Sequence, residues 1–162
     1  MMKHTLSVLL QNKPGALSRV TGLFSGRCFN IESLCVAETM DPSISCLTLV
    51  TRGEESVIEQ VMKQLHKLID VVKVTDICEN EYVEREMVLI RVKADAGTRA
   101  EVLRIIDIFR GKVVDVSANS YAVEVTGSES KIKAVIDILK PLGIKEIIRT
   151  GTIAMARAPK NR

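Results

Sequence analysis

The chain has 162 residues, of which 46 % are hydrophobic and 27 % are charged, a balance typical of a globular protein and incompatible with intrinsic disorder. Aromatic residues make up only 3 %, which predicts an aliphatic core and argues against a base-stacking platform for nucleic acid. The net charge of +3 equals the charge of Arg157, Lys160 and Arg162 near the C-terminus, so the rest of the chain is neutral and no basic face for nucleic acid is expected.

The first half of the chain contains six segments of regular hydrophobic periodicity. Alternation over residues 5–11 predicts a strand, and a turn-forming sequence over 12–15 follows it. Hydrophobic residues then recur at helical spacing over 16–27. The remaining segments are predicted to be strands over 31–40 and 44–51, a helix over 54–69 and a strand over 71–78. The order of elements is therefore βαββαβ.

The same order begins again about 81 residues later. Its first helix is expected to begin with Thr98 as the N-terminal cap and to end at Gly111. Its second helix is expected to follow Ser128 and to end at Pro141 and Gly143. The predicted strands are 87–93, 112–117, 121–126 and 144–149. Residues 152–155 can extend the last of these strands.

Two βαββαβ units predict an α+β fold of two tandem ferredoxin-like sandwiches, in which two helices cover one face of each antiparallel sheet. The polar segment 79–81 is the expected junction between them. The predicted boundaries are a first domain over 1–79, a second domain over 84–156 and a basic tail over 157–162.

Each sheet leaves one face without helices, and the first unit is predicted to expose apolar side chains there, namely Leu9, Cys35, Leu47 and Leu49. Such a face favours association of two copies into a homodimer. The four cysteines lack the spacing of metal ligands and are predicted to be free thiols. Cys35 and Cys46 can nevertheless stand opposite each other in the hairpin, which leaves a disulfide open.

The sequence contains no pattern typical of a catalytic or metal site. The motifs of serine hydrolases, zinc proteases and P-loop enzymes do not occur, and His66 lies on the polar side of its predicted helix. No hydrophobic run approaches the ~18–20 residues of a membrane span, and the N-terminus has no signal-peptide pattern. We therefore expect a cytoplasmic protein without catalytic residues, bound metal or membrane contact.

The loop between the first strand and the first helix is the best candidate for a binding site. Gly15 leaves no side chain over the helix start, so the amides of Gly15, Ala16 and Leu17 can bind a carboxylate with the help of the helix dipole. Asn30, at the entry to the second strand, is expected to place an amide close by. The alternative interpretation is a tight turn that Asn12 caps.

The same region carries a resemblance to a known family. Residues 12–20 (NKPGALSRV) look like the first loop and helix of an ACT domain. Residues 22–34 (GLFSGRCFNIESL) resemble the regulatory (small) subunit of acetolactate synthase, also called acetohydroxyacid synthase. The segments that extend the resemblance along the chain are 64–71 (QLHKLIDV), 83–86 (VERE) and 108–111 (IFRG).

The resemblance implies an ACT domain that pairs with its symmetry mate and binds a branched-chain amino acid, chiefly valine, at the shared interface. It also implies that the chain activates a catalytic (large) subunit and makes it sensitive to feedback inhibition. That partner would carry thiamine diphosphate, magnesium and FAD and condense two pyruvates, or pyruvate with 2-oxobutyrate, whereas this chain would hold no cofactor. The implied effector positions are Asn12, Lys13, Pro14, Gly15, Ala16 and Leu17, with Asn30 and Ile31 from the partner's side.

Two other functions are compatible with this topology. A stand-alone amino-acid-sensing ACT module acting on another enzyme or regulator would share the first domain, although the second unit takes up the remaining length. RNA-recognition domains also have the βαββαβ order, but their third strand needs exposed aromatic residues, and residues 44–51 contain none. The first loop of the second unit, residues 94–98, lacks the Pro-Gly-x-Leu pattern, so no effector is expected there.

Overall fold

A computed structural model describes residues 1–159 of the chain. These residues form two compact units. The first comprises residues 1–83 together with the described residues from Thr152 onward, and the second comprises residues 84–151. The predicted α+β fold with two ferredoxin-like βαββαβ units is confirmed, since each unit has an antiparallel sheet and two helices in this order.

The first unit has the sheet order β2-β3-β1-β4, so β2 and β4 are its edge strands. The strand predicted over 71–78 ends two residues early, because Asp76 Oδ1 accepts a hydrogen bond of 2.9 Å from the Cys78 amide and starts a 3-10 turn. The elements are β1 (Met2–Gln11), α1 (Ala16–Gly26), β2 (Ser33–Glu38), β3 (Ile44–Gly53), α2 (Glu55–His66) and β4 (Val71–Asp76).

The core of the first unit lies between the sheet and its two helices. Leu6 and Val8 of β1 pair with Leu49 and Leu47 of β3, and all four side chains are fully buried in this core. Cross-strand partners lie on the same face of a sheet, so the prediction that Leu47 and Leu49 lie on the helix-free face is wrong. One residue of register decides the face of every side chain in a strand, and the hydrophobic run of β3 does not reveal that register.

The helix-free face of the first sheet is less apolar than predicted. Leu9 lies there, opposite Cys46, and its neighbours on this face include Ser7 and Thr48. Cys35 is on the same face but pairs with Thr48, two positions from Cys46. The open question of a disulfide is thereby answered, because all four cysteines of the chain are free thiols.

The second unit repeats the arrangement with the sheet order β6-β7-β5-β8. Its core is aliphatic apart from Tyr121, as the low aromatic content predicts. The elements are β5 (Tyr82–Lys93), α3 (Arg99–Ile108), β6 (Lys112–Val116), β7 (Ser120–Gly127), α4 (Glu129–Gly143) and β8 (Ile144–Arg149).

The end of α3 differs from the sequence prediction in one respect. Arg110, not Gly111, has the left-handed backbone conformation, with φ of 55°. The amide of Gly111 then donates to the carbonyl of Ile106 at 2.8 Å, which closes the helix. Glycine is needed at 111 for space, since a Cβ there would stand 2.9 Å from Val125 Cγ2.

The segment after β8 returns to the first unit. It contains β9 (Ile153–Ala156). Thr152, which immediately precedes β9, is buried, and its amide donates to Ser33 Oγ of β2 at 3.3 Å. Further along, the amide of Arg157 donates to the carbonyl of Glu81 at 2.8 Å. The predicted basic tail over 157–162 thus begins as part of the first unit, and its residues 160–162 lie outside the described part of the chain. Over residues 1–159, no helix is long and apolar enough to cross a membrane.

Candidate functional site

The loop over residues 12–15, which we call the first loop, is held at its start by the hairpin turn between β2 and β3. The Asn12 amide donates to the carbonyl of Ser43 at 2.7 Å, and the Asn12 side chain donates from Nδ2 to the carbonyl of Pro42 at 2.9 Å. Asp41 rigidifies that turn, since its Oδ1 accepts from the amide and the hydroxyl of Ser43. Asn12 therefore fixes the loop to the neighbouring hairpin.

The first loop ends at the start of α1, and no side chain caps this helix. Gly15 is the N-terminal cap with φ of 84°, a conformation that favours glycine, and it supplies no capping side chain. The Ala16 amide, predicted to be available, donates instead to the carbonyl of Lys13 at 3.3 Å. The next amides, those of Leu17 and Ser18, have no acceptor within an α-helix, and the first turn contains no acidic residue.

Charged side chains surround this helix start and meet at one buried carboxylate. Lys13 Nζ lies 2.7 Å from Asp70 Oδ1, and Arg19 contacts Asp70 Oδ2 through Nε at 2.7 Å and Nη2 at 2.6 Å. Hydrogen bonds from Lys13 and Arg19 hold the pKa of Asp70 below its usual value. The three side chains, which we call the Asp70 cluster, carry a net charge of +1, so the helix start has a positive excess that suits a single carboxylate.

A cleft of about 330 Å³ opens beside the first loop and the edge strand β2. Leu17 and Val36 are partly exposed and give it apolar surface, while Glu38 gives it an acidic group. Of the predicted effector residues, Asn12, Lys13, Ala16 and Leu17 line the cleft. Sequence reasoning missed the part that β2 and β3 contribute, namely Val36, Ala37, Glu38 and Ser45. Their proximity follows from the strand order, which the hydrophobic pattern alone does not reveal.

Asn30 and Ile31 are not close to the first loop of the same chain. Asn30 precedes β2 and accepts a hydrogen bond from Thr51 Oγ1 through its carbonyl, at the end of β3 opposite the first loop. The registers place the start of β2 beside Val50 and the end of β1 beside Ile44, six residues apart on β3, or about 20 Å. The expectation that Asn30 places an amide near the loop is therefore wrong within one chain.

The corresponding loop of the second unit already contains its own carboxylate. Asp95 lies two residues after β5, as Lys13 lies two residues after β1. Asp95 Oδ1 accepts from the amides of Gly97 at 2.9 Å and Thr98 at 3.1 Å, and these bonds lower its pKa. Thr98 is the N-terminal cap of α3 as predicted, but Asp95, not the Thr98 side chain, accepts the amides.

A second buried aspartate of the first unit pairs with a histidine. The ring of His4 contacts Asp76 Oδ2 through Nδ1 at 2.7 Å, at the far end of β4 from Asp70. Among residues 1–159, no three His, Cys, Asp or Glu side chains are grouped so that they could hold a metal ion. A second cleft, of about 290 Å³, lies beside His4 and Asp76, whereas the first loop and its cleft combine a helix start that no side chain caps with apolar surface.

Known proteins resemble this chain along almost its whole length. A protein of Archaeoglobus fulgidus named probable acetolactate synthase small subunit is 52 % identical over 159 residues, 98 % of this chain and 99 % of the relative. The acetolactate synthase small subunit of Haemophilus influenzae is 50 % identical over 161 residues, 99 % of each chain. The chain belongs to the acetolactate synthase small-subunit family.

A solved structure and two family models agree with the assignment to the small-subunit family. The crystal structure of the acetolactate synthase small subunit from Thermotoga maritima has a TM-score of 0.90 and 42 % sequence identity, and the match covers 98 % of this chain and 99 % of that one. Residues 6–73 match a model described as an AHAS small subunit-like ACT domain. Residues 85–158 match a model described as the small subunit of acetolactate synthase. The first loop and its cleft therefore lie in the ACT-like part of the small subunit.

Proposed function

We propose that this chain is the regulatory subunit of an acetolactate synthase. It activates a catalytic subunit and confers feedback inhibition by branched-chain amino acids, chiefly valine, in the biosynthesis of valine, leucine and isoleucine. The names of the relatives in Archaeoglobus fulgidus and Haemophilus influenzae support the assignment to this enzyme. The ACT-domain match over residues 6–73 supports an amino-acid-sensing role. In this proposal the chain contributes no catalytic group of its own.

The observation that carries the effector proposal is the difference between the two helix starts. At α3, Asp95 supplies a carboxylate to the amides of Gly97 and Thr98. At α1, the cap is Gly15, and neither a capping side chain nor an acidic residue occupies the first turn. The carboxylate of a free amino acid can therefore bind the amides of Leu17 and Ser18 at α1, where the chain supplies no carboxylate of its own.

The other groups of valine have suitable partners in the cleft. Its carboxylate would accept from the amides of Leu17 and Ser18 and would be attracted by the net charge of the Asp70 cluster. Its isopropyl group would contact Leu17 and Val36, and Glu38 would attract its ammonium group. Isoleucine and leucine have the same charged groups, so the cleft favours branched-chain amino acids as a class.

We propose that two copies of the chain complete this site through β2. β2 is an edge strand, and edge strands are suited to pairing with a second chain. An antiparallel pair of β2 strands would bring the start of one strand beside the end of the other. Asn30 of the partner subunit and Ile31 of the partner subunit would then approach the first loop, which a single chain does not allow. In this proposal, the predicted effector residues come together at one site only in the dimer.

The partner in the proposed reaction is the catalytic subunit, which would carry thiamine diphosphate, magnesium and FAD and act in the cytoplasm. Valine binding would favour one arrangement of the regulatory dimer, and that arrangement would activate the catalytic subunit less. By thermodynamic linkage, binding of the catalytic subunit must then weaken valine binding by the same factor. A coupling free energy of ~1–3 kcal/mol corresponds to a change of roughly 5–150-fold in the affinity for valine.

The decisive experiment combines the full chain with the catalytic subunit of the same enzyme. Pyruvate turnover is measured for the catalytic subunit alone, with the chain added, and with the chain and valine together. We expect the chain to raise turnover and valine to lower it again. A chain that binds valine without changing turnover would favour the stand-alone ACT module, and a chain that changes turnover without responding to any branched-chain amino acid would refute the effector site.

A further inference from the structure

We propose that Asp70 is a positioning residue for the amino-acid effector: it fixes the first loop through Lys13 and the start of α1 through Arg19, so that the free amides of α1 face the ligand. This inference rests on the proposed function. Asp70 lies in the turn between α2 and β4, 51 residues from Arg19 in sequence, and it does not line the cleft. Its side chain is 2 % exposed, so it does not contact the effector itself.

Asp70 holds the first loop on both sides of the segment that binds the ligand. Its carbonyl accepts from the amide of Gln11, the last residue of β1, at 2.8 Å. Its carboxylate binds Lys13 within the loop and Arg19 one turn into α1. The residues held by Asp70 therefore bracket residues 14–18, which contain the amides that lack acceptors. Fixing both ends of a short segment reduces the entropy that ligand binding would otherwise cost.

The position of Arg19 shows why the carboxylate matters for the shape of the site. A Cβ on Gly15 would stand 3.0 Å from Arg19 Nη1, so the guanidinium lies directly over the loop backbone. Asp70 is the acceptor for both Nε and Nη2 of this side chain. Without Asp70, the guanidinium would be free to leave this position, and the loop would lose the group that packs on Gly15.

Charge and position make opposite predictions for Asp70→Asn. The substitution raises the net charge of the Asp70 cluster from +1 to +2. If the cluster acted only by attraction, the variant would bind the valine carboxylate more tightly. If Asp70 acts by positioning, the variant binds valine more weakly although its charge has become more favourable. The direction of the change in Kd therefore separates the two roles.

Asp76 provides a matched control at the other end of the same strand. It is also a buried aspartate, 5 % exposed, and it binds a side chain of β1, since His4 Nδ1 lies 2.7 Å from Asp76 Oδ2. Asp70 immediately precedes β4 and Asp76 ends it, about 20 Å away along the strand. Asp76→Asn thus removes a comparable buried charge without touching the first loop. A general loss of stability would affect both variants alike.

The test measures valine binding to the full chain by isothermal titration calorimetry, together with activation of the catalytic subunit in the absence of valine. We expect Asp70→Asn to raise the Kd about tenfold or more, since it replaces one of the two acceptor oxygens with an NH2 group, which cannot accept from Lys13 or Arg19, and leaves a neutral oxygen for the other cation. Asp76→Asn should change the Kd less than about twofold and should still activate the catalytic subunit. Arg19→Lys, which keeps the charge of a half-exposed side chain but loses the paired contacts with Asp70, should raise the Kd even if Asp70→Asn does not fold.

Each outcome of this test has one meaning. An unchanged or lower Kd in Asp70→Asn, or in Arg19→Lys if only that variant folds, overturns the positioning role while the proposed function stands. An equal rise of Kd in Asp70→Asn and Asp76→Asn also overturns it, because the effect would then come from general stability. A wild-type chain that binds no branched-chain amino acid refutes the proposed function, and the inference fails with it.

Discussion

Arg19 Nη1 lies 3.0 Å from the point at which a Cβ on Gly15 would stand, and Gly15 itself has φ of 84°. The positive φ favours glycine at position 15, and a Cβ there would require the Arg19 guanidinium to shift. We expect Gly15→Asp to abolish valine inhibition, because its carboxylate would stand where the valine carboxylate binds. Turnover with and without valine, measured on the reconstituted enzyme, checks this.

Two control variants separate the effect of the new carboxylate in Gly15→Asp from the effect of backbone strain at this position. Gly15→Ala carries the backbone strain without a carboxylate and should weaken inhibition only in part. Gly97→Asp places a carboxylate in the corresponding loop of the second unit, where Asp95 already occupies the amides, and should leave inhibition intact. Full valine sensitivity in Gly15→Asp would contradict the proposed location of the effector.

The lowered pKa of Asp70 makes part of the stability of the first unit dependent on pH. Lys13 and Arg19 lower the pKa by binding the carboxylate in the folded state. A lowered folded-state pKa gives stability that is present above the unfolded value of about 3.9 and is lost as the pH falls through the folded value. The free energy of unfolding of the wild type minus that of Asp70→Asn should therefore be constant above about pH 5 and decline below about pH 4. Urea unfolding at a series of pH values measures it, and a difference that persists unchanged to low pH would argue against the ion pairs.

The second unit contains an ion pair in which one partner is almost fully buried. Arg149 binds Glu86 with Nε to Oε1 at 2.6 Å and Nη2 to Oε2 at 2.8 Å, and Glu86 raises the pKa of Arg149. Glu86 is 4 % exposed, so Glu86→Gln removes the buried charge and places an NH2 donor against a guanidinium N–H, which should destabilise the chain by ~2 kcal/mol. The exposed pair of Arg91 and Asp115 is the control, and Asp115→Asn should change the free energy of unfolding by less than ~0.5 kcal/mol. Equal effects of the two substitutions in urea unfolding would show that burial does not set the strength of these pairs.

Replacing one glycine of each unit by alanine should change the free energy of unfolding in opposite directions. Gly111→Ala would place a Cβ 2.9 Å from Val125 Cγ2 and 3.0 Å from the Glu124 carbonyl oxygen, so it should destabilise by ~1–3 kcal/mol. Gly22 is in α1, and a Cβ there would meet no atom within 4 Å. Gly22→Ala should therefore stabilise by up to ~1 kcal/mol through helix propensity. Thermal unfolding of the two variants checks both signs, and a stable Gly111→Ala would mean that α3 and β7 can move apart.

The sequence predicts the elements of this fold well because their periodicity is local. All twelve strands and helices predicted for the two units appear within a few residues of their predicted bounds. The faces of Leu47 and Leu49 depend instead on the register between β3 and β1, which no local pattern contains. Local periodicity therefore gives the order of the elements but not which side chains meet across them.

The candidate site shows the same division between local and distant information. The exposed start of α1 follows from Gly15 and its neighbours, so it could be predicted. Asp70 could not, because it reaches Lys13 and Arg19 only through the packing of β4 beside β1. The lining by Val36 and Glu38 likewise depends on the strand order, in which β2 is an edge strand.

The return of residues from Thr152 to the first unit affects the order in which the protein can fold during synthesis. The first unit is made of two pieces of chain that the entire second unit separates. A ribosome must therefore complete residues 84–151 before it releases the segment that pairs Thr152 with Ser33 and Arg157 with Glu81. The unit that is translated first is consequently the last to acquire all of its contacts. Hydrogen exchange on stalled nascent chains would show this order as amide protection in the first unit that increases further after Thr152 and Arg157 have emerged.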